Sequence, residues 1–315
     1  MEKNIDPKYM GKEFWKNYME MWFGRELIEK WSKYVKEETI YSNDRDIHLE
    51  VYDTGYSDRP TLIFAHGIAG YARVLLPFLV PIREKGYNII APDLQGYGYN
   101  SGLKGDFEWN AHVQNLYDTV VYAKKRFSGK IILGGASMGG PLAYATATRF
   151  GNVDAIACWC LWDFSDREFM LKQTNTKSFT YLLIPLFKLL SLLVGNIRLK
   201  TYSLIPYDTL SDSSEMNELI KRDPQAGTYI TLKGATSLVL QSTPDIPHHK
   251  FKLPVLVVQP GADRMTPIKY TERTFEKLGS KNKRYVKLVG ADHFPTKKTY
   301  YHQWAEEFDN FVQQI

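Results

Sequence analysis

The chain has 315 residues, of which 44% are hydrophobic and 24% charged, and 40 basic against 35 acidic residues give a formal net charge of +5. This is ordinary for a soluble globular protein with a sizeable core, and the basic clusters at 281–284 and 297–298 are too short to indicate a nucleic-acid partner. The N-terminus lacks the basic-then-apolar order of a signal peptide, and no run reaches eighteen apolar residues, so we expect a cytoplasmic protein.

The first predicted element is helical. Residues 12–36 carry large apolar side chains mostly three or four positions apart, which is typical of one amphipathic helix or of two helices hinged at Gly24. We interpret residues 1–37 as an N-terminal helical extension that packs on the domain or on a partner. Because so many aromatic residues also suit an interface, the alternative is a surface for peripheral membrane contact, for a homodimer or for the substrate entrance.

Predicted strands and helices then alternate. Residues 39–53 have the period of a half-buried hairpin. Short apolar runs, typical of strands buried on both faces, follow at 61–65, 87–91, 130–133, 154–158, 255–258 and 285–289. Amphipathic segments such as 112–127 and 301–315 accompany them. This pattern predicts an α/β fold with a doubly wound, mostly parallel sheet, formed by residues 38–161 and 252–315.

The alternation stops between residues 162 and 251. No strand pattern is evident there, while residues 179–194 form a strongly apolar, helix-like run that Pro185 and Lys188 interrupt. We predict a mainly helical cap inserted between two strands, where it would cover a site at the strand ends. Within this cap, 179–194 is either a core helix or a wall for an acyl chain.

The two cysteines, Cys158 and Cys160, are separated by one residue on a predicted strand, so both side chains should point to the same face. Cysteines at this spacing rarely form a disulfide and cannot complete a zinc site alone. We therefore expect reduced core residues and a reducing compartment. No metal cluster, nucleotide loop or cofactor lysine motif appears in the sequence, so we expect no metal or cofactor.

A serine between glycines carries the main chemical signal. Gly135, Ser137 and Gly139 fit the G-x-S-x-G nucleophile elbow, in which a serine lies on a sharp turn between a strand and a helix. Residues 130–133 predict that strand and 142–147 that helix, and the glycines are needed because the two elements nearly touch.

A nucleophilic serine also needs a base and an acid that orients the base. Asp263 and His293 follow the last two predicted strands, and the ends of parallel strands meet at one sheet edge, so both should converge on Ser137. We assign Ser137 as the nucleophile, His293 as the general base and then acid, and Asp263 as the orienting acid. Asp163 and Asp292 are the alternative acids.

The oxyanion of the reaction intermediate needs two hydrogen-bond donors. The N–H of Met138, directly after the nucleophile, is one candidate. The N–H of Ile68 is the second, because it lies in the small-residue loop after strand 61–65, in which His66 should shape the loop rather than react.

These motifs make the chain resemble the α/β-hydrolase superfamily, in particular the branch of monoacylglycerol lipases, lysophospholipases and carboxylesterases. The resemblance covers residues from about 60 to 161 and from 252 to 315. It departs from many relatives at Gln95 and Ala136, neither of which makes or breaks bonds. The residues that carry it are His66-Gly67, Asp93 to Gly98 with Gly102, Gly135 to Gly140, Gly261 to Arg264, and Gly290 to His293.

The resemblance and the ordered triad imply a serine hydrolase of carboxylic esters with an apolar acyl part, acting on a small-molecule ester or lipid-like substrate. An acyl-homoserine lactonase with the same triad is the alternative, since a lactone is an ester. An aminopeptidase, with Glu215 or Glu218 as the anchor for the substrate amine, and a non-catalytic ligand-binding protein are less favoured. Gly96 and Gly98 lack the third glycine of a dinucleotide-binding loop.

Overall fold

A central sheet of eight strands organises the computed structural model, which describes residues 5–173 and 184–315. Its strand order is β1-β2-β4-β3-β5-β6-β9-β10, and β7 pairs with β8 outside it. The strands are β1 (Val35–Ser42), β2 (Arg45–Tyr52), β3 (Thr61–Ala65), β4 (Asn88–Pro92), β5 (Ile131–Ala136), β6 (Ala155–Trp159), β7 (Arg198–Lys200), β8 (Tyr229–Thr231), β9 (Val255–Pro260) and β10 (Lys283–Leu288).

The predicted mostly parallel sheet is confirmed. The six strands from β4 to β10 in the sheet order run parallel, and β2 is antiparallel to both β1 and β4. The hairpin is confirmed too, because β1 and β2 pair around Asn43 and Asp44, whose φ angles of 50° and 58° suit a tight hairpin turn. The short apolar runs predicted strands that are buried on both faces, and this prediction is wrong only for β10. This strand is half exposed because it forms the sheet edge.

Helices cover both faces of the sheet. On one face α3 packs against α12, and on the other α4 packs against α5. Successive side chains of β3 alternate between the two buried clusters, as the pleat of a strand requires. The helices are α1 (Trp15–Phe23), α2 (Arg25–Tyr34), α3 (Leu76–Glu84), α4 (Trp109–Arg126), α5 (Gly139–Phe150), α6 (Arg167–Gln173), α7 (Ile184–Val194), α8 (Thr201–Leu204), α9 (Ser214–Arg222), α10 (Leu232–Gln241), α11 (Ile268–Lys277) and α12 (Lys298–Val312).

Most of the aromatic residues in the N-terminal helices are buried. The helices α1 and α2 meet at Gly24, with φ 77°, which confirms the predicted hinge. Phe23 packs edge-on against Tyr301 of α12 at 5.5 Å, and Trp31 of α2 donates a hydrogen bond to the buried Glu50 of β2 at 3.0 Å. These aromatic side chains belong to the core cluster that contains α3 and α12. Phe23 and Trp31 are therefore part of the core, as expected for an extension that packs on the domain.

The segment between β6 and β9 contains α6 to α10 and the two-stranded sheet of β7 and β8. The sequence did not predict these strands, because three residues are too few to show a period. Residues 227–231 of this segment contact the core. The N–H of Gly227 donates to the Ala69 carbonyl at 3.0 Å, and the N–H of Thr231 donates to the Gly105 carbonyl at 3.1 Å. Over the described ranges, no helix combines the length and apolarity needed to cross a bilayer.

The helix α7 exposes apolar side chains. Residues 179–183 lie outside the described residues, but in the described part Leu192 is 77% exposed and Leu193 71% exposed. The helix packs on α10. The prediction of a core helix is therefore wrong for these leucines, because an apolar run fixes helix formation but not which elements surround the helix.

Replacing Leu192 and Leu193 together with lysine is expected to change the free energy of unfolding by less than about 1 kcal/mol, because surface substitutions rarely cost more than ~0.5 kcal/mol each. The same variant should bind less of an apolar dye. In contrast, Leu238→Lys should cost more than about 2 kcal/mol, because Leu238 of α10 is buried. Denaturant titrations of the two variants check this, and equal losses would show that the leucines of α7 are not surface residues.

Candidate active site

Ser137 lies on a strained turn between β5, which ends at Ala136, and α5, which begins at Gly139. Its φ of 56° is the left-handed conformation that L-residues adopt only where the surroundings enforce it. A Cβ at Gly135 would lie 2.4 Å from the Gly139 carbonyl carbon, and one at Gly139 would lie 2.2 Å from the Ala65 oxygen. The strand, the helix and the neighbouring β3 therefore touch at both glycines, as predicted.

The loop after β3 passes beside this serine. A Cβ at Gly67 would lie 2.8 Å from the Ser137 Cβ and 3.3 Å from its Oγ. Two amides next to these residues, the N–H groups of Ile68 and Met138, donate no hydrogen bond to another residue of the described chain. The predicted oxyanion donors thus lie on the two segments that flank Ser137.

His66 holds this loop in shape. Its Nδ1–H donates to the Gly67 carbonyl at 2.8 Å, and the N–H of Leu94 donates to its Nε2 at 3.0 Å. Burial lowers the pKa of His66, so the ring stays neutral with both nitrogens occupied. The structure agrees with the loop-shaping role that the sequence suggested.

Asp93 plays a related part in the next loop. Its carboxylate accepts the N–H of Ala72 at 2.7 Å and the N–H of Tyr99 at 2.8 Å, and the Nδ1–H of His48 at 2.9 Å. A Cβ at Gly98 would lie 2.2 Å from this carboxylate. The motif from Asp93 to Gly98 is therefore a structural device that ties the loops after β3 and β4 together.

Asp263 and His293 contact each other at the ends of β9 and β10. The Nδ1–H of His293 donates to Asp263 Oδ2 at 2.8 Å, and the N–H of Thr266 donates to Asp263 Oδ1 at 2.6 Å. The Nε2 of His293 is buried and bonds to no other described group. The carboxylate thus fixes the tautomer in which Nε2 can accept a proton.

Trp159 links the histidine to the serine. Its carbonyl accepts the N–H of Ser137 at 3.0 Å, and its Nε1–H donates to the His293 carbonyl at 2.9 Å. The alternative acids lie elsewhere. Asp163 pairs with His248 Nε2 at 2.9 Å, and Asp292 lies 3.6 Å from Arg264.

The two cysteines point to opposite sides of the sheet, so the prediction of one shared face is wrong. The strand β6 ends at Trp159, and Cys160 has φ 68°, which turns its side chain away from the face that Cys158 occupies. Cys160 Sγ lies 3.4 Å from Asp263 Oδ2. Strand alternation could not reveal this contact, because the reversal comes from one left-handed residue.

Cys160, Asp263 and His293 place their ligand atoms within 4.8 Å of one another, a spacing that a metal ion can also use. A metal needs the thiolate, whereas burial, with Asp263 beside it, raises the pKa of the Cys160 thiol. The neutral thiol instead donates a weak hydrogen bond to the carboxylate. Of the groups described here, these three favour a hydrogen-bonded chain over a metal centre.

A mostly parallel sheet, a serine on the turn after β5, and an acid and a histidine after later strands together define an α/β hydrolase. Residues 57–296 match the sequence model of the family described as "Serine aminopeptidase, S33", and the chain belongs to this family of α/β hydrolases.

Similar structures include a monoacylglycerol lipase of Paleococcus ferrophilus (TM-score 0.67, 18% identity, 84% of this chain and 99% of that one covered). A thermostable carboxyl esterase of Bacillus coagulans is also similar (TM-score 0.71, 15% identity, 89% and 98% covered). In sequence, an uncharacterized 31.7 kDa Escherichia coli protein encoded in the traX-finO intergenic region is 23% identical over 246 residues, which are 76% of this chain and 85% of that protein.

Proposed function

We propose that the chain is a serine hydrolase that cleaves carboxylic esters with an apolar acyl part through an acyl-enzyme on Ser137. The observation that carries the proposal is the buried His293: Asp263 holds its Nδ1, its Nε2 is unpartnered among the described groups, and Trp159 connects it to Ser137. The solved neighbours named as a monoacylglycerol lipase and a carboxyl esterase support an ester as the substrate.

In this mechanism His293 Nε2 takes the proton of the Ser137 hydroxyl while Oγ attacks the ester carbonyl carbon. The N–H groups of Ile68 and Met138 stabilise the negative oxygen of the tetrahedral intermediate. When the carbon–oxygen bond to the alcohol breaks, His293 returns the proton to the leaving oxygen. A water activated by the same histidine then attacks the acyl-enzyme, which releases the acid and restores Ser137.

The aminopeptidase named in the family description needs an acidic anchor for the substrate amine. One of the two candidates, Glu218, is exposed on α9 and pairs with Lys221 at 2.6 Å, which gives it a partner already. The alcohol part of an ester needs no anchor of this kind, and we therefore propose an ester as the substrate class.

The test is covalent labelling with a fluorophosphonate followed by peptide mass spectrometry. We expect one adduct, on the peptide that contains Ser137, and its formation should be slowed by competing esters. A panel of p-nitrophenyl esters from two to sixteen carbons, run beside acyl-homoserine lactones of the same lengths, then defines the substrate. Absence of an adduct, or an adduct on another serine, overturns the proposal, and faster opening of lactones would reassign the enzyme as a lactonase.

A further inference from the structure

A buried carboxylate joins three distant segments of the chain. Asp223, at the end of α9, is 1% exposed. Its Oδ2 accepts the hydroxyl of Tyr18 from α1 at 2.7 Å and the hydroxyl of Tyr71 at 2.6 Å, and its Oδ1 accepts the N–H of Gln225 at 2.8 Å. Both tyrosines are fully buried. We refer to Asp223, Tyr18 and Tyr71 as the Asp223 cluster.

The phenols act as donors in this cluster. Burial raises the pKa of both tyrosines well above the ordinary value, so both keep their protons, and burial also raises the pKa of Asp223. A carboxylate so deeply buried depends on its donors, because an unpaired buried polar group is costly. Loss of one phenol hydroxyl should therefore disturb the position of Asp223.

The segment that Asp223 begins lies across the loop beside Ser137. The N–H of Gly227 donates to the Ala69 carbonyl at 3.0 Å, and the Gln225 carbonyl accepts the N–H of Gly98 at 3.3 Å. Ala69 directly follows Ile68 and has φ 61°, a strained conformation that needs outside support. A Cβ at Gly227 would lie 2.1 Å from the Tyr97 ring, so the segment fits closely.

Tyr71 and Gly227 therefore hold the same loop at two points, and both depend on Asp223. Tyr71 lies two residues after Ala69 and is hydrogen-bonded to Asp223 directly. Gly227, which bonds to Ala69, lies four residues after Asp223 in the sequence. The third support, Tyr18, comes from α1, which precedes the residues 57–296 that match the family. The N-terminal helix thus shares the Asp223 carboxylate with Tyr71 of this loop.

We propose that the Asp223 cluster is a positioning device that holds residues 66–70 in the conformation in which the Ile68 N–H faces the oxyanion. This inference rests on the proposed serine hydrolase mechanism. It makes α1 part of the catalytic architecture rather than an appendage. Because the negative charge of the oxyanion develops during the reaction and is absent from the bound ester, weakening the cluster should lower kcat and leave KM nearly unchanged.

The test compares Tyr18→Phe with Tyr9→Phe, a matched control whose hydroxyl donates to Glu20 near the same helix but does not contact the cluster. Complete loss of an oxyanion donor costs on the order of 10² to 10³ in kcat, so partial misplacement in Tyr18→Phe should cost about tenfold. KM should stay within about twofold, and fluorophosphonate labelling should slow by the same factor as kcat. Tyr9→Phe should match the wild type.

Rates are referred to folded enzyme, counted by final labelling stoichiometry, so that a loss of folding is not mistaken for a loss of rate. Tyr71→Phe and the double variant complete a mutant cycle, and the two losses should not add, because both act on one carboxylate. A wild-type kcat for the folded Tyr18→Phe enzyme, or a change confined to KM, overturns the inference. An unlabelled, inactive wild type would instead overturn the proposed function and this inference with it.

Discussion

Replacing Ser137 with alanine is expected to lower kcat/KM for p-nitrophenyl esters by a factor on the order of 10⁶, the scale on which serine hydrolases lose activity without their nucleophile. The fold should not change. The hydroxyl of Ser137 makes no hydrogen bond to the described residues 5–173 and 184–315. The conformational free-energy cost of the left-handed φ of 56° is the same for alanine as for serine, because both carry a Cβ. A loss of rate without a loss of stability is the signature of a chemical role.

The control for this variant is Ser165→Ala, which removes a hydroxyl that donates to Asp163 at 2.6 Å in the loop after β6. Its kcat/KM should stay within about threefold of the wild type, since surface substitutions away from the site have small effects. Both variants are measured at high enzyme concentration after thermal unfolding has shown equal folded fractions. Activity of Ser137→Ala above about one per cent of the wild type would show that another group is the nucleophile.

The sheet and the elbow could be predicted because their signals are local. A buried parallel strand needs an unbroken apolar run, and β3 coincides with the predicted 61–65. The glycines around Ser137 are required by backbone contacts that any elbow of this type makes. Because Asp263 and His293 follow successive predicted strands, the sequence predicted that both lie at one sheet edge. In the structure the two side chains contact each other.

The features that the sequence did not reveal depend on contacts between distant residues. Asp223 is 205 residues from Tyr18 and 152 from Tyr71, and no period in the sequence connects them. Residue type also does not show whether other elements pack over an apolar helix. For this reason the sequence predicted that the exposed leucines of α7 are core residues. For Cys160, one left-handed residue reversed the face that alternation predicts.

The structure also distinguishes acids that the sequence could only rank. Asp163, Asp263 and Asp292 all lie near predicted strand ends, but only the Asp263 carboxylate bonds to the His293 ring among the described contacts. Asp163 instead takes part in a separate series of hydrogen bonds. It bonds to His248 Nε2, and Nδ1 of the same histidine bonds to the Tyr144 hydroxyl at 2.8 Å. This difference leads to a mutational test of the orienting acid.

Asp263→Asn is expected to lower kcat by about 10⁴, as loss of the orienting acid does in a serine protease triad. The N–H of Thr266 donates to Asp263 Oδ1 at 2.6 Å, so the oxygen of an asparagine should turn toward Thr266. Its NH₂ group would then face His293 Nδ1 and favour the tautomer that carries the proton on Nε2. That nitrogen could no longer accept the proton of Ser137, although the side chain keeps its size.

Asp292→Asn and Asp163→Asn are the matched controls, because each removes one carboxylate charge near the same sheet edge. Neither carboxylate touches the His293 ring, so both variants should keep kcat within about one power of ten of the wild type, far above the loss of ~10⁴ for Asp263→Asn. Steady-state kinetics of all three, referred to equal folded fractions, give the comparison. If Asp163→Asn lost about 10⁴ in kcat while Asp263→Asn stayed active, the orienting acid would be Asp163, in the loop after β6. His248 would then have to release Asp163 during the reaction.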